Sequence, residues 1–229
     1  MTPLCIDLFC GLGGWAEGFL AEGWRVIGFD IVRQDHGTGV YPAQLVLQDV
    51  ATLDGRQFRS AHMLVASPPC QEYSYRAMPW KRAKALPAPS NELFEAPFRI
   101  QSEASAAAGR YIPLIVENVR AAQRWVGPAR WHYGSFFLWG DVPALMPKPS
   151  GKKGVGNWFG PADKRGDPRE ASLYSLRSEA IKQHASGKVW FDSGFTRFGS
   201  RSARRKAATA EIAKIPLGLA EHIARVFKP

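Results

Sequence analysis

The chain has 229 residues, 45% of them hydrophobic and 22% charged, which is typical of one globular domain with at most a small appended one. Lys and Arg outnumber Asp and Glu by 30 to 20, giving a net charge of +10 and favouring a polyanionic partner, most commonly nucleic acid. We expect a cytoplasmic protein without membrane partner or metal, because apolar runs are short, the first residues do not resemble a signal peptide, and three cysteines are too few for a zinc cluster.

A βαβ unit is predicted at the start of the chain. Residues 4–9 have the apolar composition of a buried strand, residues 10–14 form a glycine-rich turn, and residues 15–22 show helical spacing. A second strand, residues 24–29, ends at Asp30. A glycine-rich turn lets the backbone approach a ligand at the start of a helix, and an acid after the next strand can bind both hydroxyls of a ribose.

Cys70 follows the carboxyl end of a predicted buried strand. Residues 63–66 are apolar, and Pro68 and Pro69 stiffen the turn that comes next. Open α/β sheets place their chemistry at this edge. Taken alone, a single cysteine is more often an inert buried thiol than a nucleophile, but the motifs that surround Cys70 favour the nucleophile. Residues 44–49 form a further predicted strand, with Asp49 at its end.

The segment after Cys70 is predicted to be a loop. Residues 72–90 contain three prolines, show no apolar periodicity, and mix aromatic with basic side chains. The segment is either a solvated loop or a mobile loop that lies on nucleic acid, with cations for the phosphates and rings for the bases.

The next segment returns the chain to the same edge. Pro97 is expected to break or kink a helix that begins after Asn91, so the clearer helix is residues 98–108. A strand over residues 111–116 then delivers Glu117 to the edge that carries Cys70, and residues 133–139 form another candidate strand.

Composition changes after residue 140. Residues 141–206 contain 14 Lys or Arg and 6 Asp or Glu, which is a net +8 of the total +10. This concentration favours a surface that faces DNA over a solvated run of charge. Residues 203–213 are predicted to be helical, and residues 217–227 form a closing amphipathic helix. We therefore divide the chain into a catalytic and donor-binding domain (1–140), a basic recognition segment (141–206) and a returning helix (207–229).

Three motifs occur in one order: Asp-Leu-Phe-Cys-Gly-Leu-Gly-Gly from Asp7, Pro-Pro-Cys-Gln from Pro68, and Glu-Asn-Val from Glu117. Together they resemble the DNA (cytosine-5)-methyltransferases, in particular small members of phage or prophage type. The resemblance is strong over residues 1–140 and returns in the last twenty or so. It is absent between them, where the family keeps its variable target-recognition domain. It implies a doubly wound, mostly parallel α/β sheet of the class I S-adenosylmethionine-dependent methyltransferase fold.

The resemblance also implies roles for individual residues. Cys70 would add to C6 of a flipped cytosine in double-stranded DNA, and Glu117 would act beside N3 and the exocyclic amine. Asp30 would hold the ribose of S-adenosylmethionine and Asp49 its adenine amine. Further donor contacts are expected from Asp7, Phe9, Gly11, Gly13, Pro69 and Lys214. Contacts with DNA are expected from Gln71, Ser74, Arg76, Lys81, Arg82, Arg197, Arg201, Arg204 and Arg205.

The sequence departs from the family pattern in three places. No Gln-x-Arg-x-Arg run follows Tyr133-Gly134, so the arginine that binds the target cytosine is unassigned, with Arg76, Arg197 and Arg201 as candidates. The recognition segment is short, which favours a short or degenerate target sequence. Lys214 stands where the family has an asparagine, if one residue is deleted before Pro216.

We expect a monomer that methylates cytosine. The three departures leave alternatives to the methylation. Lys214 could select carboxy-S-adenosylmethionine through a charge-assisted hydrogen bond, and the product would then be 5-carboxymethylcytosine. A catalytically inactive DNA-binding relative is favoured by the missing arginines and opposed by Cys70 and Glu117. An RNA substrate is less favoured, because the recognition segment lies between the catalytic and closing elements, as in the DNA enzymes.

Overall fold

A mostly parallel sheet forms the centre of the molecule in the computed structural model, which describes residues 2–34, 40–147, 210 and 213–229. Within these residues the strand order is β3-β2-β1-β4-β5-β7-β6, and the first five strands in this order are parallel. β7 runs antiparallel to β5, and β6 pairs antiparallel with β7. The strands are β1 Leu4–Leu8, β2 Arg25–Asp30, β3 Gln44–Leu47, β4 Met63–Ala66, β5 Leu114–Asn118, β6 Trp131–Tyr133 and β7 Phe136–Gly140.

Helices cover both faces of this sheet, so the predicted doubly wound α/β fold is confirmed. The helices are α1 Gly14–Ala21, α2 Gln71–Arg76, α3 Lys81–Lys84, α4 Glu92–Ala108, α5 Gln123–Val126 and α6 Leu217–Val226. Short 3-10 turns span Val50–Thr52, Gly55–Phe58 and Arg120–Ala122. The helices α1 and α6 share one buried cluster with the sheet, and α4 shares the other.

The order of the strands reverses beside β1, which places β2 on one side of it and β4 on the other. Crevices at such a switch point, outside the carboxyl ends of the strands, are where open α/β sheets bind their ligands. Here the glycine turn follows β1 and the Cys70 turn follows β4, so both open onto this crevice.

The returning helix α6 packs tightly on α1. A Cβ placed on Gly18 would clash with the Cβ of Ala220, and one placed on Gly14 would lie 2.5 Å from the backbone nitrogen of Ile215. Glycine at these two positions therefore allows the segment around Ile215 to lie directly on the start of α1. The closing helix was predicted at residues 217–227 and is observed within one residue of those limits.

Three local predictions were wrong. α4 continues through Pro97, although the missing N–H deprives the carbonyl of Leu93 of its helical partner, because Phe94 and Ile100 on either side of Pro97 are buried and anchor the helix in the core. The segment after Cys70 contains α2 and α3, because Tyr73 and Ala83 are buried and anchor it. The single strand predicted at residues 133–139 is a hairpin, in which Gly134 turns the chain at φ +60°.

Most of the basic segment lies outside the described residues. The domain limits at 141–206 and the predicted helix over residues 203–213, of which only Ala210 and Ala213 are described, stay predictions. The same holds for the DNA contacts assigned to Arg197, Arg201, Arg204 and Arg205.

Candidate active site

The turn after β1 has the backbone of a ligand-binding loop. Phe9 has φ +55°, a value that is uncommon for any residue but glycine, and Gly11 and Gly13 follow at +50° and +80°. The turn is held by hydrogen bonds from the N–H of Gly13 to the carbonyl of Cys10 at 2.8 Å and from the N–H of Cys10 to Phe29 at 3.1 Å. A Cβ on Gly11 would meet no atom within 4 Å, so the space beside its backbone is open.

Asp30 links this turn to β2. Its Oδ2 accepts a hydrogen bond from the N–H of Gly11 at 2.9 Å, and its Oδ1 accepts a longer one from Val32 at 3.3 Å. The carboxylate is half-buried at the carboxyl end of the strand, as predicted. Beside it, Ile31 is 72% exposed. A carboxylate and an exposed apolar side chain at one strand end suit the hydroxyls and the flat base of a nucleoside.

Asp49 occupies the corresponding place after β3. Its Oδ1 accepts a hydrogen bond from the N–H of Ala51 at 3.0 Å and so caps the 3-10 turn Val50–Thr52. The side chain is half-buried. Asp30 and Asp49 thus lie at the ends of two adjacent parallel strands, on the edge that the sequence predicted for both.

Asp7 is fully buried behind the glycine turn. Its Oδ2 accepts a hydrogen bond from the hydroxyl of Tyr41 at 3.1 Å, and its Oδ1 has no hydrogen-bond partner among the described residues. Burial raises the pKa of this carboxyl well above its usual range; the bond from Tyr41 lowers the pKa in part, the charge of Asp30 raises it, and the backbone N–H of Ala16 lowers it. Such a group is costly to the fold unless a cation compensates it.

The ring of Tyr41 fills the space that two glycines leave. A Cβ on Gly28 would clash with the phenol, and one on Gly13 would lie 3.0 Å from the ring. Burial, followed by the charge of Asp7, raises the pKa of Tyr41, so its hydroxyl stays a donor. A buried role for Tyr41 was not predicted, because the segment around this residue has no periodicity that marks it as buried.

The Cys70 turn is fixed at three points before the cysteine. The N–H of Ser67 donates to the carbonyl of Leu8 at 3.1 Å, and its Oγ accepts from the indole Nε1 of Trp15 at 3.1 Å. The carbonyl of Pro68 accepts from the side-chain amide of Asn118 at 3.0 Å. Pro68 is buried, Pro69 is exposed, and Cys70 is half-exposed at the start of α2. Cys5 and Cys10 are buried, and burial raises the pKa of both thiols.

Glu117 lies next to this turn. It occupies the second-last position of β5, is 8% exposed, and precedes Asn118, the residue that holds the carbonyl of Pro68. Strands β4 and β5 are paired, with Ala66 opposite Val116. The structure therefore brings Cys70 and Glu117 to the same edge on neighbouring strands, as predicted. The role of Asn118 was missed, since nothing in a Glu-Asn-Val triplet shows what its amide will bind.

The predicted DNA contacts next to Cys70 divide into two kinds. Gln71, Lys81 and Arg82 are exposed and Ser74 is half-buried. Arg76 differs, because its guanidinium donates to the carbonyl of Pro87 at 2.8 Å and forms a 3.3 Å ion pair with Glu72. These bonds engage Arg76 in the local structure of the segment. An exposed aromatic pair, Tyr75 and Trp80, lies among the cations with ring centroids 5.9 Å apart.

Lys214 contacts α1. Its Nζ donates to Oε1 of Glu17 at 2.6 Å, and the lysine side chain is 15% exposed. This ion pair fixes the segment before α6 over the first turn of α1, close to the glycine turn. The ammonium therefore already has an anionic partner within the protein.

Strand β7 follows Tyr133-Gly134, where the family has its Gln-x-Arg-x-Arg run, and it offers no other basic residue in that place. Its residues pair with β5 so that Leu138 lies opposite Glu117 and Phe137 opposite Asn118. Leu138 and Trp139 are buried, and the strand carries no basic side chain. On β6, His132 stacks on Phe137 with ring centroids 5.1 Å apart.

The described residues show neither a metal cluster nor a membrane-spanning helix. They contain no group of three or more His, Cys, Asp or Glu side chains suited to a metal ion. None of the helices in this part of the chain has the length and apolar character that crossing a membrane requires.

Solved structures resemble the chain in fold. The Dnmt2 methyltransferase of S. pombe aligns over 100% of this chain and 99% of its own, at 10% identity and a TM-score of 0.51. The DNMT2 of Spodoptera frugiperda aligns over 100% of both chains, at 10% identity and a TM-score of 0.50. These two similarities agree with the class I methyltransferase fold.

A structure described as a DNA modification methyltransferase encoded within an E. coli prophage has 21% identity and a TM-score of 0.39 over 55% of this chain. The alignment spans only 34% of that protein's length. No curated protein sequence matches the chain.

The amino-terminal half of the chain matches a known protein family. The sequence model described as C-5 cytosine-specific DNA methylase matches residues 4–123, which is more than half of the 229 residues and includes the glycine turn, Cys70 and Glu117. The chain therefore belongs to the C-5 cytosine-specific DNA methylase family.

Proposed function

We propose that the protein transfers a methyl group from S-adenosylmethionine to C5 of cytosine in double-stranded DNA. One observation carries this proposal: the amide of Asn118 binds the carbonyl of Pro68 at 3.0 Å and so joins the strand end that bears Glu117 to the turn that bears Cys70. Activation of a cytosine ring requires a nucleophile and an acid at one place, and here Cys70 follows β4 while Glu117 lies on β5, the strand paired with it.

S-adenosylmethionine fits the residues present. The carboxylate of Asp30 suits the ribose hydroxyls, the exposed Ile31 suits a face of the adenine, and the open space beside Gly11 admits a ligand to the backbone of the turn. When bound there, this donor supplies an electrophilic methyl group.

The residues of the chain would then act on the cytosine in two stages. The Sγ of Cys70 forms a bond to C6, which makes C5 nucleophilic, while Glu117 stabilises charge at N3 and the exocyclic amine. Transfer of the methyl group to C5 would leave S-adenosylhomocysteine behind. C5 then gives its proton to water and the Sγ–C6 bond breaks, which restores the aromatic ring and releases the Cys70 thiolate. Because C6 is inaccessible within a stacked duplex, the cytosine must leave the helix first.

The exposed cations next to Cys70 support DNA as the substrate. Lys81 and Arg82 lie on α3, one short helix beyond the nucleophile, and Trp80 is 55% exposed beside them. Cations near an exposed ring suit phosphates and an unstacked base. Arg76 is a poor substitute for the missing family arginine, because its guanidinium is engaged by Pro87 and Glu72.

The structure offers less support for the carboxylated donor. That hypothesis depends on an ammonium at Lys214 that is available to a carboxylate, and here the ammonium pairs with Glu17 at 2.6 Å. An inactive relative would have no need for the anchored Cys70 turn. We therefore keep methyl transfer as the function.

Mass spectrometry of nucleosides tests the proposal. DNA is taken from a host without its own cytosine-5 methyltransferase that expresses either the wild type or Cys70→Ala. We expect 5-methyldeoxycytidine with the wild type and none with the variant. A 5-carboxymethyl nucleoside would assign the carboxylated donor instead, and unmodified DNA from wild-type cells would contradict an enzymatic function.

A further inference from the structure

One side-chain hydrogen bond connects the two halves of the candidate site. The indole Nε1 of Trp15 donates to Oγ of Ser67 at 3.1 Å, across 52 positions of sequence. Trp15 is the second residue of α1, which begins directly at the glycine turn. Ser67 is the first residue after β4 and precedes Cys70 by three positions. The bond therefore runs from the helix of the donor turn to the nucleophile turn.

The surroundings of this hydrogen bond make its loss costly. Trp15 is 2% exposed and lies in the cluster shared by α1, α6 and the sheet, so an indole N–H left without an acceptor would be costly. The backbone N–H of Ser67 is already engaged by the carbonyl of Leu8 at 3.1 Å. The side chain of Ser67 is thus what ties the start of the turn to α1.

The turn beyond Ser67 is stiff. Pro68 and Pro69 have fixed φ angles, and the carbonyl of Pro68 is held by Asn118 at 3.0 Å. A displacement of Ser67 would pass to Cys70 because these residues have little freedom to absorb it. In the same first turn of α1, Glu17 forms an ion pair with Lys214 that clamps the helix to the returning segment.

We propose that Trp15 is a positioning residue that couples occupancy of the glycine turn to the placement of the Cys70 thiol. A ligand on the glycine turn steadies the start of α1, and the Trp15–Ser67 hydrogen bond transmits this to the nucleophile turn. The inference rests on the proposed function for its biological meaning. The coupling itself is a property of two sites and is reciprocal, so it can be measured without methyl transfer.

The chain offers a matched control. Trp24 is also buried in the same cluster, and its Nε1 donates to the carbonyl of Ala224 at 3.1 Å. Trp24→Phe therefore removes a comparable buried hydrogen bond that does not involve the nucleophile turn. Ser67→Ala removes the acceptor while keeping the indole, and Ser67→Thr keeps a hydroxyl and should retain the coupling.

The experiment measures alkylation of Cys70 by iodoacetamide with peptide-resolved mass spectrometry. Cys70 is half-exposed whereas Cys5 and Cys10 are buried, so the reagent distinguishes them. Rates are compared with and without S-adenosylhomocysteine. We expect the ligand to change the Cys70 rate by about fivefold or more in the wild type, Trp24→Phe and Ser67→Thr, and by less than about twofold in Trp15→Phe and Ser67→Ala.

A second readout is steady-state kinetics, in which Trp15→Phe should lower kcat by about tenfold and leave the KM for the donor within about twofold. The inference is overturned if the ligand has no effect on Cys70 in the wild type, or if Trp15→Phe and Ser67→Ala respond as Trp24→Phe does. Failure of the proposed function would look different: the wild type would transfer no methyl group, while the response of the thiol to the ligand would persist.

Discussion

At the scale of single residues, Asp7 is a polar group at the candidate site that lowers the stability of the fold. Its carboxyl is fully buried, Tyr41 binds one oxygen, and the other has no partner among the described residues. A fold selected for stability alone would place an apolar side chain there. We infer that Asp7 is kept for the polar contact that it makes with Tyr41 behind the glycine turn, since its raised pKa favours the uncharged form.

This interpretation predicts a pH dependence. Because burial raises the pKa of Asp7 in the folded state, the folded protein keeps a proton that the unfolded chain has released above about pH 4. The free energy of unfolding should therefore fall as pH rises from that value to the raised pKa, by at most about 1.4 kcal/mol per pH unit. Asp7→Asn should remove this slope, as measured by urea denaturation at a series of pH values.

Tyr41→Phe provides the control for that experiment. This variant loses the hydrogen bond that lowers the pKa of Asp7, so the pKa should rise further. The free energy of unfolding should then continue to fall up to a higher pH than in the wild type. A wild-type curve that rises with pH over the same range would contradict the account of Asp7.

At the scale of elements, the Glu17–Lys214 ion pair joins α1 to the segment before α6. We predict that Lys214→Met and Glu17→Gln each weaken the binding of S-adenosylmethionine several-fold, because the segment over the glycine turn loses its clamp. The double variant with Glu17→Lys and Lys214→Glu should recover much of this affinity, as measured by isothermal titration calorimetry.

The same variants decide what Lys214 does. If Lys214 contacts the donor directly, exchanging the two charges will not restore binding, and carboxy-S-adenosylmethionine will bind the wild type more tightly than it binds Lys214→Met. Restoration by the exchange, with no preference for the carboxylated donor, supports a structural clamp.

The elements also show what the sequence could reveal. Strand ends were predictable because short apolar runs mark buried parallel strands, and this placed Asp30, Asp49, Cys70 and Glu117 at one edge. The contacts that fix these residues were not predictable: Trp15, Tyr41 and Asn118 act through partners 52, 34 and 50 positions away. Helix α4 was predicted to begin only after Pro97, because local propensity does not show that Phe94 and Ile100 are buried in one cluster on either side of it.

At the scale of the whole molecule, the net charge of +10 is unevenly placed along the chain. We predict that neutralising Arg201, Arg204 and Arg205 together, and separately Lys81 and Arg82 on α3, weakens DNA binding and flattens its dependence on salt. Each lost phosphate contact should reduce the slope of log affinity against log salt by roughly one. Donor affinity is the control and should not change in either variant.

A slope that stays the same in one variant would show that its cations face solvent in the complex. The exposed Arg59 provides a comparison, since it lies at the end of the 3-10 turn Gly55–Phe58 and away from the Cys70 turn in sequence. Arg59→Ala should leave the slope unchanged.

The central claim is that Cys70 forms a covalent bond to C6 of cytosine, and trapping that bond tests it most directly. The protein is incubated with S-adenosylmethionine and double-stranded DNA of random sequence in which 5-fluorocytosine replaces cytosine. Since fluorine at C5 cannot leave as a proton does, the adduct should persist through denaturation. Peptide mapping should place it on Cys70, Cys10→Ala should still form it, and Cys70→Ala should not. A wild type that forms no adduct, or one that forms it at another residue, would contradict the account.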